Sequence, residues 1–303
     1  MVAHYYLDRF SLLGHFVILE GWANDFDLEL SYDGQHIALS VQPIPRPDLV
    51  STFGEEAKYW GFAACGALPT NIIDRNLFKL RYNREIERVA PQDQFSASED
   101  LKFSSMVAAF QREVDSRGGS LLEIGSRMRS GAVYRSWFQN LKDYVGFDVM
   151  EGPNVDIVGD AHHLTRHVNR KFDFIFSIAV FEHLLMPWKV ALEMNSILNQ
   201  GGAALIIAPH AWPIHEEPWD FFRFSKESWS GIFNQHTGFE VVDARYQHPA
   251  SIVPFYAHNE HFQSMSLGPA YVMSGCYVRK NAPAKVQWDA EVSEVYDVNY
   301  THK

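Results

Sequence analysis

The chain has 303 residues, 47% of them hydrophobic and 21% charged, which suits a packed globular protein with room for two domains. A formal charge of −11 with no basic stripe argues against a nucleic-acid partner, because neutralising phosphates needs clustered Lys and Arg. Cys65 and Cys276 are too few and too distant for a disulfide framework or a zinc cluster. No stretch supplies the ~20 consecutive apolar residues of a membrane span, and MVAHYYLDRFSLLGHF lacks the pattern of a signal peptide, so a cytoplasmic protein is expected.

Residues 1–95 read as a small antiparallel β domain. HFVILEGWA, DLELSYDG and HIALSVQP follow one another as short strands, with Asp33-Gly34 as a hairpin turn signal. PIPRPDL (43–49) interrupts regular structure, FKLRYN (78–83) alternates again, and the polar run PQDQFSASED (91–100) reads as a linker. No compact catalytic constellation is visible here.

From residue 96 to 303 the rhythm alternates β and α. Phe103, Met106, Val107, Phe110 and Val114 mark one face of a helix that ends at Gly118-Gly119. A strand 120–124 follows. Val133, Tyr134, Trp137, Phe138 and Leu141 have the spacing of a second helix, and YVGFDV of a second strand. FDFIFSIAV (172–180) is apolar enough for a strand buried on both faces. Pro187 opens a helix carrying Trp188, Ala191, Leu192 and Leu198, closed by Gly201-Gly202, before the strand ALIIAP (204–209). FEVVDARYQ and YVMSGCYVRK read as a final antiparallel pair at the sheet edge. The expected fold is α/β, a doubly wound sheet with a smaller N-terminal β domain.

Three strand ends carry acids or glycine at one edge of this sheet: Glu123 with Gly125, Asp148, and Asp160. Such an edge suits a nucleoside cofactor. Gly125 permits close backbone approach, and a helix start after it would offer free N–H groups. The run Gly125-Ser126-Arg127-Met128-Arg129-Ser130-Gly131 lacks the middle glycine that a pyrophosphate requires, which disfavours NAD and FAD. Glu123 points the same way, since a carboxylate suits an amino or sulfonium group and repels phosphate. Asp148 lies 25 residues further on, near the offset at which an acid takes ribose hydroxyls. Phe147, Ile178 and Val180 are candidate apolar walls.

In their order, LLEIGSRMRSG, YVGFDV, VGDAHHL, FDFIFSIAVFEHL and LNQGGAALIIAP resemble the successive motifs of class I S-adenosylmethionine-dependent methyltransferases, over about residues 100–280. The resemblance implies a seven-stranded Rossmann-like sheet and S-adenosyl-L-methionine as cofactor. It implies that Glu123 and Gly125, with Ser126, hold the methionine end. Asp148 would take the ribose and Asp160, with Ala161, the adenine, and Val149 and Ile178 would belong to the same cofactor site. Ser126-Arg127-Met128 departs from the family's alternating glycines.

The segment PHAWPIHEEPWDFFRFS (209–225) leaves the carboxyl end of a central strand and packs polar groups among aromatics. So many polar groups would be costly to bury without use. Ser225 then caps a helix with Trp229, Ile232 and Phe233 facing inward. His215 is the first candidate for a general base, oriented by Asp220 or Glu216, and His183 of the post-strand Glu182-His183 is the second. An Asp220–Arg223 pair that merely holds the loop together is an equally good reading of Asp220. No histidine pair has a diagnostic ligand spacing, so no metal is expected.

The same loop resembles bacterial methyltransferases associated with glycans and surface polysaccharides, and Glu-Gly-Trp-Ala (20–23) is similar to their small accessory domains. That implies O-methylation of a sugar or glycan hydroxyl, by in-line attack of a substrate oxygen on the sulfonium methyl. The partner is then a small-molecule or glycan acceptor, and a homo-oligomer is compatible with this reading. The alternatives are a nitrogen or phenolic acceptor, an inactive carbohydrate-binding protein with the same fold, and an NAD-dependent oxidoreductase.

Overall fold

The computed structural model describes residues 5–13, 16–25, 27–68, 74–82, 85–91, 98–129, 131, 133–250, 252 and 269–296. Most of the expected linker, 92–97, therefore lies outside the described residues. Two compact units are formed, Met1–Ser96 with Ala250–Ala270, and Ala97–Pro249 with Tyr271–Lys303. Among the described residues no helix is long and apolar enough to cross a membrane.

The first unit contains eight strands: β1 (Tyr5–Leu13), β2 (Phe16–Ala23), β3 (Leu28–Tyr32), β4 (Gln35–Ile37), β5 (Leu39–Ile44), β6 (Gly61–Ala67), β7 (Phe78–Tyr82) and β8 (Glu85–Arg88). They make two four-stranded antiparallel sheets, β1-β2-β6-β5 and β4-β3-β7-β8. Alternate residues of both sheets meet in one core, including Phe10, Val17, Leu19, Leu30, Phe62 and Phe78. Asp33 and Gly34 both have positive φ, which suits the two-residue β3–β4 turn. Pro43 lies inside β5, a strand at the end of its sheet, where a missing N–H is tolerated. In Glu-Gly-Trp-Ala, Glu20 is buried against Arg9, and a side chain at Gly21 would collide with the Tyr6 carbonyl.

The second unit is built on seven strands: β9 (Ser120–Ile124), β10 (Asp143–Asp148), β11 (Ile157–Val158), β12 (Phe172–Ile178), β13 (Leu198–Pro209), β14 (Phe239–Ala250) and β15 (Ala270–Lys280). Their order is β11-β10-β9-β12-β13-β15-β14. The first five run parallel, and β15 is antiparallel to β13. β12 lies centrally and is buried on both faces. Phe174 and Phe176 pack with Phe110 of the helix Ser98–Arg117, while Ile175 packs with Val190, Ala191 and Met194 of the helix Pro187–Ile197. Layers therefore cover both faces of the sheet, as a parallel sheet requires. Phe110 sits at the centre of an aromatic cluster, edge-on to Phe138, Phe174 and Tyr277 at 5.6–6.0 Å.

Three local expectations fail. The helical spacing over 133–141 produces only a 3-10 turn, Tyr134–Trp137. Its aromatics pack edge-on or tilted against one another and against Phe176, and positive φ at Gly131 interrupts the run before it. Leu198 belongs to β13 rather than to the preceding helix, and Gly201-Gly202 lies in an irregularity of that strand, where Phe172 pairs with Leu198 but Phe174 with Ala203. Ser225 accepts the Ser228 N–H (3.2 Å), one turn ahead of the short helix Ser228–Ile232, whose N-cap is Glu227.

Candidate active site

A cavity of about 800 Å³ opens at the carboxyl ends of β9, β10 and β12. Glu123, Gly125, Ser126, Asp148, Val149, Asp160, Ala161 and Ile178 all line it, as do His183 and His215. Asp220 does not. The candidate walls Phe147 and Val180 are also in the lining, together with Arg127, Arg129, Tyr134, Glu182 and Trp219.

β9 delivers Glu123 to the inner wall, where it is only 3% exposed. Tyr144 O–H and Asn154 Nδ2 both donate to its Oε2, the latter at 3.1 Å. Burial nevertheless raises the carboxyl to about 7, and the Asp148 charge acts in the same direction, while the Asn154 bond opposes both. A cationic ligand group beside it would restore the ionised form. Asn154 is set by positive φ (69°) and also donates to the Ser126 carbonyl at 2.9 Å. Sequence reasoning missed both Tyr144 and Asn154. The only signal was Gly146, where a side chain would run into the Asn154 carbonyl at 1.9 Å.

Gly125 is required twice over. Its φ is +81°, and a Cβ there would stand 2.1 Å from Val180 Cγ2. The expected helix start after it is absent. The N–H groups of Gly125 and Ser126 donate to the Phe147 carbonyl (2.8 and 3.1 Å), that of Arg127 to Asp148 Oδ2 (3.1 Å), and that of Met128 to the Pro153 carbonyl (3.1 Å). These amides are spent inside the protein. A pyrophosphate would not find these four amides free, as the turn of a dinucleotide fold would offer them.

Asp148, 8% exposed, also accepts the Met150 N–H on Oδ1 at 3.0 Å. Backbone donors thus aim the carboxylate while leaving it acceptor capacity for ligand hydroxyls. Asp160 accepts both the His162 N–H (2.9 Å) and His162 Nδ1 (2.6 Å). Burial works to raise its pKa, but those His162 contacts outweigh it and hold the acid below its usual range. His162 Nε2 accepts the Met186 N–H at 3.1 Å, so Nδ1 carries the proton.

The opposite end of the cavity is built by the turn after β12 and by the loop 209–225. Glu182 is fully buried, neither carboxylate oxygen has a hydrogen-bond partner, and burial pushes its pKa to about 8. Its carbonyl accepts the N–H groups of Phe221 and Phe222, tying this turn to the loop. His183 Nδ1 lies 2.5 Å from the Trp219 carbonyl, and burial lowers the pKa of the ring. The His215 ring stands edge-on to it at 4.8 Å. Asp220 accepts the His215 N–H at 2.9 Å, lies 3.4 Å from its Nδ1, and forms two bonds with Arg223 (2.5 and 2.7 Å). The Arg223 guanidinium holds Asp220 far below the carboxylate range and also donates to the carbonyls of Trp212, Pro213 and Phe222. Both readings of Asp220 therefore meet in one residue, which braces the loop and touches His215 from behind. His210 and Glu217 lie outside the lining, whereas Glu216 is in it and pairs with Arg129 at 2.8 Å.

Residues 97–247 match the family model described as Methyltransferase domain. The chain carries a class I S-adenosylmethionine-dependent methyltransferase domain. It is thereby assigned as an S-adenosylmethionine-dependent enzyme, and a cavity lined by Glu123, Asp148 and Asp160, with the amides of the turn after β9 already bonded, suits that cofactor better than a dinucleotide. None of the curated proteins matches the sequence. Among solved structures, it is similar to an S-adenosylmethionine-dependent methyltransferase from Archaeoglobus fulgidus (14% identity, 60% of this chain and 94% of that one, TM-score 0.41). Another is an S-adenosylmethionine-dependent methyltransferase from Clostridium acetobutylicum (9% identity, 62% and 94%, TM-score 0.40).

Proposed function

We propose that this methyltransferase O-methylates a hydroxyl of a sugar or glycan. Glu123 and Gly125, with Ser126, would hold the methionine end of the cofactor, Asp148 and Val149 its ribose, and Asp160, Ala161 and Ile178 its adenine. When bound, S-adenosylmethionine supplies an electrophilic methyl group to a nucleophile. The observation that carries the acceptor reading is the pair of imidazoles, His183 and His215, converging on the cavity that also holds the cofactor-side acids.

Imidazoles are suited to taking the proton of a hydroxyl as its oxygen is alkylated. Trp219, 9% exposed and in the lining, offers an apolar ring beside them on which a sugar face can rest. Asp220 and Arg223 act as positioning residues, because they fix the loop that carries His215. Alignment of the acceptor oxygen would supply much of the remaining rate.

The test is a panel of sugars, phenols and amines with labelled methyl donor. Transfer to a sugar hydroxyl is expected, and transfer confined to amines or phenols would overturn the reading. His215→Ala should lower turnover at least tenfold while leaving S-adenosylhomocysteine affinity within about twofold, of the order expected when one acid–base group is removed. Loss of cofactor binding in that variant would show that the two ends are not separate.

A further inference from the structure

Among the described residues, one group of side chains brings potential ligand atoms together, and it lies at the proposed acceptor end. Glu182, His183 and His215 each place a ligand atom within 4.8 Å of the other two. They are separated by up to 33 residues in the chain, so no spacing rule reveals them. The expectation of no metal rested on such spacing alone.

Three further features point to a cation. Glu182 is wholly buried, yet neither carboxylate oxygen has a hydrogen-bond partner, an arrangement that a protein ordinarily avoids unless a ligand completes it. Each histidine has Nδ1 against a backbone carbonyl, that of Trp219 for His183 (2.5 Å) and that of Pro213 for His215 (3.1 Å). Donation from Nδ1 leaves the lone pair on Nε2, which is how metal-ligating histidines are oriented. His183 Nε2 already lies 3.7 Å from Glu182 Oε1. Bonds of ~2.0–2.2 Å would set donors roughly 3.5 Å apart on a tetrahedron. His215, 30% exposed at its side chain, supplies the third ligand atom, within 4.8 Å of the other two.

We propose that Glu182, His183 and His215 bind one divalent transition-metal ion of the zinc class at the acceptor end of the cofactor cavity. Two imidazoles and one carboxylate favour zinc, iron or nickel over magnesium or calcium. Three protein ligands leave a coordination position, and because all three residues line the cavity it faces the acceptor. Its use in catalysis rests on the O-methylation reading. An acceptor hydroxyl at that position would lose its proton more readily, as metal-bound water does, and the histidines would then be ligands instead of bases. Without the ion, His215 remains the base.

The full chain, freed of metal with a chelator, is titrated calorimetrically with zinc chloride, and cobalt(II) uptake is followed by visible absorption. One tight equivalent is expected. Glu182→Gln should weaken it at least tenfold and His215→Ala about a hundredfold. His210→Ala, in the same loop but outside the cluster, should leave it unchanged. S-adenosylhomocysteine titrations on the same samples report that each variant is folded. No tight equivalent, or one that survives both Glu182→Gln and His215→Ala, overturns the site, since binding by other histidines would persist in those variants. One-to-one zinc binding without any methylated sugar supports the site and sinks the acceptor reading. Sugar methylation that chelation leaves untouched, with no zinc bound, does the reverse.

Discussion

The two ends of the cavity are made in opposite ways. At the cofactor end, Asp148 and Asp160 are held by backbone N–H groups close to them in the chain or on the adjoining turn. At the proposed acceptor end, the buried Glu182 carboxylate has no hydrogen-bond partner, and His183 and His215 meet because the loop 209–225 folds back over the turn after β12. A site satisfied by its own backbone is committed to one ligand shape. A site with stranded donors and acceptors is finished by whatever enters it.

The largest expected effect is at the committed end. Asp148→Ala removes both the acceptor for a ribose and the anchor of the Arg127 and Met150 N–H groups. Bonds to charged groups are worth about 1.5–3 kcal/mol each, so S-adenosylhomocysteine affinity should fall at least 100-fold by calorimetry. A fall below tenfold would break the contrast.

Next in size is Arg223→Ala, which frees Asp220 and three loop carbonyls. Turnover should drop roughly 10–100-fold, the scale on which misplacing a reacting group costs rate, with cofactor affinity nearly unchanged. Equal losses in both would mean that the loop also shapes the cofactor end.

The third prediction concerns pH. Glu123 is raised from 4.5 to about 7 by burial, so stability associated with its protonated form is complete below pH 4.5 and is lost as pH rises through 7. The shift corresponds to about 3 kcal/mol at most. Chemical unfolding of the cofactor-free protein should show this decline, and Glu123→Gln should flatten it. In the wild type, affinity for a cationic ligand group should grow up to tenfold per pH unit as pH approaches 7, because only the carboxylate attracts it. A pH-independent affinity would remove Glu123 from the contact.

That Glu123, Asp148 and Ile178 share one edge was legible because such residues sit at the carboxyl ends of strands, where position along the chain gives position in space. Tyr144 and Asn154 were not, since nothing in their spacing says that they close on Glu123. The spacing over 133–141 misled because aromatics that pack on Phe176 as a cluster also satisfy a helical period. The loop 209–225 was recognisable as a unit, but its internal roles were not. Asp220 could be assigned only once Arg223 and the His215 N–H were seen on the same carboxylate.

Gly125 packs so closely on the Val180 side chain that the proposed floor under the cofactor and the turn bearing Glu182-His183 are in direct contact. Efforts to retarget the enzyme should therefore leave 180–183 alone and diversify the positions of 209–225 other than His215, Trp219, Asp220 and Arg223.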